Sequence, residues 1–247
     1  MGVDERTSVA PGATDPAASV RARQTWRNAL ILGVAAIVTM GALDLAVVLS
    51  RSSGPHVDSL SMLMGLGDLP ATKAAPDFTL VDQHGRTQSL SAMRGKAVVL
   101  QFMDPHCTDI CPIVSQELVD AAHDLGRDVS KVDFVAVNVN PYATAVRDVS
   151  AFSREHGLSS LPNWYFVTGP ATALAKVWSA YGISVEAPSP TADVIHSSYL
   201  FFIGKQGTER YMAIASDDHT TRGRAYLPAA DVTAWGAGIA TVVRRLL

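Results

Sequence analysis

Along residues 76–247 the apolar positions alternate between two patterns, short blocks of near-continuous hydrophobicity and longer stretches spaced three and four apart. FTLVDQHGRTQSL reads as two short strands around a turn at His84 and Gly85, and AVVLQFM (97–103) as a buried strand. Residues 112–125 are apolar at helical spacing, KVDFVAVNV (131–139) is another strand block, and 143–156 another helix, ended by Gly157. WYFVTG (164–169), a helix through ATALAKVWSAYG, the strand SYLFFIG (198–204), a turn at 205–207, the strand RYMAIA and a C-terminal helix from about Ala229 complete the series. Alternation of this kind predicts an α/β domain, a mixed sheet with helices on both faces.

Upstream the pattern changes. Residues 29–50, ALILGVAAIVTMGALDLAVVLS, form a 22-residue run with one charge, Asp44. At about 1.5 Å rise per residue such a helix crosses roughly 30 Å of hydrocarbon, so residues 28–51 are expected to be a single transmembrane helix. Arg21, Arg23 and Arg27 precede the run and only Arg51 follows closely. The positive-inside rule then keeps residues 1–27, a flexible tail without apolar period, in the cytoplasm, and places the main domain outside the cell membrane. A cleaved signal peptide is the rival reading, but the run is long for one and no clear Ala-x-Ala site follows. Residues 52–75, rich in Gly, Ser and Pro, read as a linker, its short apolar patch lying at the membrane surface. Met62 and Met64 in that patch are soft donors that copper would accept; the surface role is preferred.

Composition narrows the classes. The 247 residues carry 20 Lys and Arg against 23 Asp and Glu, a formal net charge of -3, so there is no excess of positive charge for a nucleic-acid backbone. The two cysteines, Cys107 and Cys111, stand four apart in QFMDPHCTDICPIVSQEL, between a buried strand and a helix whose first turn Pro112 marks. On a helical turn both sulfurs share one face. The helix N-terminus favours thiolate over thiol, which aids nucleophilicity and metal ligation alike. A third donor must come from afar; His196, 85 residues beyond Cys111 and just before an apolar strand, is the candidate. Two thiolates with an imidazole suit copper, soft enough for Cu(I) and able to accept Cu(II), whereas zinc more often adds a fourth protein ligand.

The chain resembles the Sco/SenC family of thioredoxin-like, membrane-anchored copper chaperones that serve cytochrome c oxidase assembly. The resemblance rests on FMDPHCTDICP, on HSSYLFFIG and on the frame APDFTLVDQHGRTQSL, GKAVVLQF, VAVNVNP and NWYFVTG, spanning about residues 75–210. It implies a thioredoxin-like fold for residues 76–247, copper ligation by Cys107, Cys111 and His196, and the copper-site subunit of the oxidase as recipient. An extracytoplasmic thiol reductant is then needed to keep the cysteines open. Three positions depart from the family pattern: Thr108 in place of Pro, Asn140 in place of Asp, and Ile195 where an acidic residue often precedes the histidine.

Other readings compete. The cysteines could form a structural disulfide, although so short a loop constrains the unfolded chain little. A membrane-tethered thiol-disulfide oxidoreductase would use the same pair without the histidine, but three residues separate the cysteines where thioredoxin-type motifs have two. No residue positively supports a sensor. His106 either tunes Cys107 or is solvated, Asp109 is expected to cap the following helix, and Asp217, Asp218 and His219 read as a solvated loop.

Overall fold

The block AVVLQFM forms the central strand of the sheet because it is buried on both faces along its whole length. Around it, the computed structural model describes residues 59–247; the expected tail, transmembrane helix and first part of the linker lie outside the described residues. In chain order the elements are α1 (Ser59–Met64), β1 (Gly67–Asp68), β2 (Thr79–Val81), β3 (Thr87–Ser89), β4 (Ala97–Met103), α2 (Ile110–Leu125), β5 (Val132–Asn138), α3 (Val146–Glu155), β6 (Trp164–Val167), α4 (Ala171–Tyr181), β7 (Val185–Glu186), β8 (Ile195–His196), β9 (Tyr199–Ile203), β10 (Glu209–Ile214), β11 (Asp218–His219), β12 (Ala225–Tyr226) and α5 (Ala229–Arg244). Among the described residues no helix is long and apolar enough to cross a membrane.

The main sheet has the order β1-β10-β9-β4-β5-β6. Strands β4, β5 and β6 run parallel, as their helical crossovers demand, and β9 returns antiparallel against the other edge of β4. Side chains of β4 alternate between two cores. Ala97, Val99 and Met103 face α2, α5 and α3, while Val98, Leu100 and Phe102 face α4 and the β2–β3 hairpin. Helices therefore cover both faces, as the alternation of periods predicted.

Left-handed glycines sit where helices end: Gly157 at φ 73° follows α3 and Gly182 at φ 69° closes α4, conformations that a side chain would strain.

One expectation is corrected. Residues 59–75 are not a free tether, for they pack into the domain. Met64 of α1 is fully buried, and a Cβ added at Gly238 of α5 would lie 2.7 Å from the Met64 sulfur and from Leu60 Cδ1. Strand β1 pairs with β10, Ala75 N–H donates to the Gly207 carbonyl at 2.9 Å, and Lys73 Nζ meets the buried Glu209 carboxylate at 2.5 Å. The SMLM patch thus finds its apolar partner in α5, and residues 59–75 belong to the domain together with 76–247. Met64 is inaccessible to a metal, whereas Met62 is 77% exposed.

Candidate functional site

The site lies where parallel sheets usually place one, beyond the carboxyl end of the central strands. Strand β4 ends at Met103, the chain turns through Asp104, Pro105 and His106, and Cys107 precedes the first turn of α2. The turn is closed by the Cys107 N–H donating to the Asp104 carbonyl at 3.1 Å and the His106 N–H donating to Asp104 Oδ1 at 2.8 Å. Cys107 is half-buried, Cys111 is buried at 2% exposure, and neither forms a disulfide.

The two thiols differ in acidity because each acts on the other. The Cys111 S–H donates to Cys107 and, with the backbone N–H groups of Cys111 and Asp109, outweighs burial and the charge of Asp104; the Cys107 pKa falls from 9.0 to about 7. That same hydrogen bond, together with complete burial, pushes Cys111 well above its ordinary value. As pH rises through about 7 the pair therefore passes to a state with one proton between the two sulfurs: an accessible thiolate in front, a protonated thiol behind.

His196, on β8, lines the cleft of about 810 Å³ that opens over Asp104 and Cys107, and also the small cavity beneath it against Cys111. Its Nδ1 donates to the Ser197 carbonyl at 3.1 Å, which fixes the tautomer and leaves Nε2 as the lone-pair nitrogen. Burial lowers its pKa and keeps the ring neutral, as a ligand must be. The structure brings the two sulfurs together and sets His196 on the walls of the same cavities, without drawing the three donor atoms within 4.8 Å of one another.

Among the described residues the three-donor cluster that does meet within 4.8 Å is Asp109, Asp217 and His219. This departs from the sequence reading. Asp109 makes no capping bond; its Oδ1 accepts the Ala225 N–H at 3.0 Å, its Oδ2 lies 4.0 Å from His219 Nε2, and the Asp217 carboxylate lies 3.7 Å from that nitrogen. Asp109 thus pins the β11–β12 hairpin against the start of α2, and the Cys107 sulfur accepts the Cys111 N–H that a cap would have taken.

Two of the departures gain a physical setting. Asn140 is buried, donates from Nδ2 to Asp104 Oδ1 at 3.0 Å, and accepts the Tyr142 and Ala143 N–H groups at Oδ1. A carboxylate there would oppose Asp104, so the amide is the side chain that fits. Ile195 is 67% exposed on the wall of the cleft, replacing charge with an apolar surface. Thr108 is exposed on the same rim; nothing in the structure explains it. His106 is also exposed there.

Comparison with known proteins fits this geometry. The family model described as SCO1/SenC matches residues 67–223, more than half of the chain. The chain belongs to the SCO1/SenC family. Among its curated relatives, the SCO1 homologue of Bacillus subtilis (strain 168) is 24% identical over 140 residues, covering 56% of this chain and 72% of that protein. The mitochondrial SCO2 homologue of Bos taurus is 27% identical over 153 residues, covering 59% of this chain and 56% of that protein. The chain thus spans little more than half the length of the mitochondrial relative. Of solved structures, Bradyrhizobium japonicum ScoI with copper bound superposes with a TM-score of 0.52 at 21% identity, covering 70% of this chain and 99% of that one. A SCO1/SenC family lipoprotein of Bacillus anthracis gives 0.57 at 20% identity, covering 72% of this chain and 96% of the other. The fold is the thioredoxin-like one that the resemblance implied.

Proposed function

We propose that this SCO1/SenC protein binds copper through Cys107, Cys111 and His196 and delivers it, outside the cytoplasm and from a single membrane anchor at residues 28–51, to the copper-site subunit of cytochrome c oxidase. The observation that carries the reading is the thiol pair itself: two sulfurs in hydrogen-bond contact at a helix N-terminus, one held at about 7, with a neutral, half-buried imidazole on the walls of the same cavities. The donor set is chemically apt for copper, two soft sulfurs and an imidazole nitrogen. Relatives support it in their own right, since the ScoI proteins of Bradyrhizobium japonicum and Arabidopsis thaliana were solved with copper bound, and a Stutzerimonas stutzeri relative is named a putative copper-binding protein.

The residues divide the work. Cys107, half-exposed and about half ionised at pH 7, is the first sulfur a copper donor meets; Cys111 then yields its proton as the second. His196, through Nε2, closes the set. Release runs through the wide cleft over Cys107, where an incoming ligand of the recipient can reach the exposed side of the site. Oxidation of the pair to a disulfide would abolish ligation, so an extracytoplasmic dithiol partner is part of the proposal.

The alternative, a thiol-disulfide oxidoreductase, is favoured by one observation, the split acidity that prepares Cys107 as nucleophile and leaves Cys111 protonated behind it. Variants in cells separate the two. Copper delivery predicts that His196→Ala and Cys107→Ser both lower oxidase activity and that added copper partly restores it. Oxidase activity untouched by His196→Ala, with Cys107→Ser inactive, would replace chaperone by reductase.

A further inference from the structure

Gln101 interrupts the apolar sequence of β4, and its side chain is buried at 3% exposure. Neither its amide nitrogen nor its amide oxygen has a hydrogen-bond partner within the described residues. The strand's alternation places it between Val99 and Met103 on the α2 face, with Leu200 of β9 and Ala136 of β5 as its register neighbours. There it lines the small cavity of about 10 Å³ whose other walls include Cys111, Val114, His196 and Ser198. So narrow a space admits about one water at most.

A buried amide without partners destabilises a fold, and an aliphatic side chain of similar volume on this strand would remove that cost. Its position beside the site supplies the reason to keep it. Cys111 faces inward at 2% exposure onto the same small cavity that the Gln101 amide lines, with His196 on another of its walls. We infer that Gln101 is a positioning residue of the cysteine–histidine site, its carboxamide donating from beneath to the Cys111 thiolate when that sulfur gives up its proton to hold a metal. Hydrogen bonds to a ligating sulfur reduce its charge and favour the lower oxidation state of a bound metal. Gln101 thereby biases the site toward Cu(I) over Cu(II). This inference rests on the copper-binding reading.

The test compares the full chain with its Gln101→Leu and Gln101→Met variants, the second retaining the length of the side chain. Three quantities are read: the thermal midpoint of the metal-free reduced protein, Cu(I) affinity against a competing chelator, and the position of the sulfur-to-metal absorption band with Cu(II). The expected result is a midpoint that holds or rises in both variants, with Cu(I) binding weakened about tenfold or more and the absorption band displaced. Unchanged affinity and spectrum would overturn the inference while leaving the copper-binding reading intact. A midpoint that falls in step with affinity in both variants would also overturn it, because the amide would then be serving the fold. Failure of the unmodified protein to bind Cu(I) would remove the underlying reading and this inference with it.

Discussion

Glu117, on α2, is a carboxyl group with no cation beside it. Only 1% of it is exposed, Oε2 has no hydrogen-bond partner within the described residues, and Asp120 one turn on adds like charge. Burial first, then Asp120, pushes its pKa from 4.5 to about 8. A folded-state value above the unfolded one means that the native protein keeps a proton the unfolded chain has already lost. Stability is therefore fully present below about pH 4.5 and drains away as pH rises toward 8. At about 1.4 kcal/mol per pH unit of displacement the whole span is on the order of 5 kcal/mol, and roughly 3 kcal/mol of it falls between pH 5 and 7.5. Glu117→Gln keeps the shape and removes the titration. Urea unfolding of both proteins at pH 5, 6, 7 and 7.5 should show the wild type losing stability relative to the variant by that amount, with the variant the more stable at pH 7.5. Two parallel pH profiles would refute the reasoning, for they would show that Glu117 reaches solvent or a partner in the native state.

Three further outcomes follow from the packing and the site. Alkylation of Cys107 should reach half its limiting rate near pH 7, and Cys111→Ser, which weakens the hydrogen bond that acidifies it, should move that midpoint upward. Asn140→Asp should destabilise the domain by about 2–3 kcal/mol at neutral pH by setting a second carboxylate against Asp104, and Asp104→Asn in the same chain should recover most of the loss in a denaturant titration. Gly238→Ala should cost about 1–3 kcal/mol, because its methyl group would strike Leu60 and Met64; a neutral result would mean that α1 does not rest on α5.

How far the sequence could be read depended on the range of the interaction that settles each feature. Strand β4 and helices α2 and α4 were legible because their own periodicity decides them, and the cysteine pair because two thiols at a strand-to-helix junction are informative locally. The role of α1 was not legible: six residues of SMLM character suit a membrane surface as well as a protein face, and only α5, arriving from the far end of the chain, decides between them. Asp109 looked like a cap because capping is a local habit, yet its partner Ala225 lies 116 residues away. Gln101 was hidden inside an apolar block, where nothing in the sequence says that its amide will find no partner. His196 was reachable mainly through the family frame, since an isolated histidine before a strand carries little signal of its own.

The measurement that bears most directly on copper handling is an anaerobic Cu(I) titration of the reduced full-length chain beside its His196→Ala variant, each against a competing chelator. Copper binding through Cys107, Cys111 and His196 predicts one tightly held Cu(I) per chain and a clear loss of affinity without the histidine. Weak binding, equal in the two proteins, would contradict it and leave the cysteine pair to thiol-disulfide exchange.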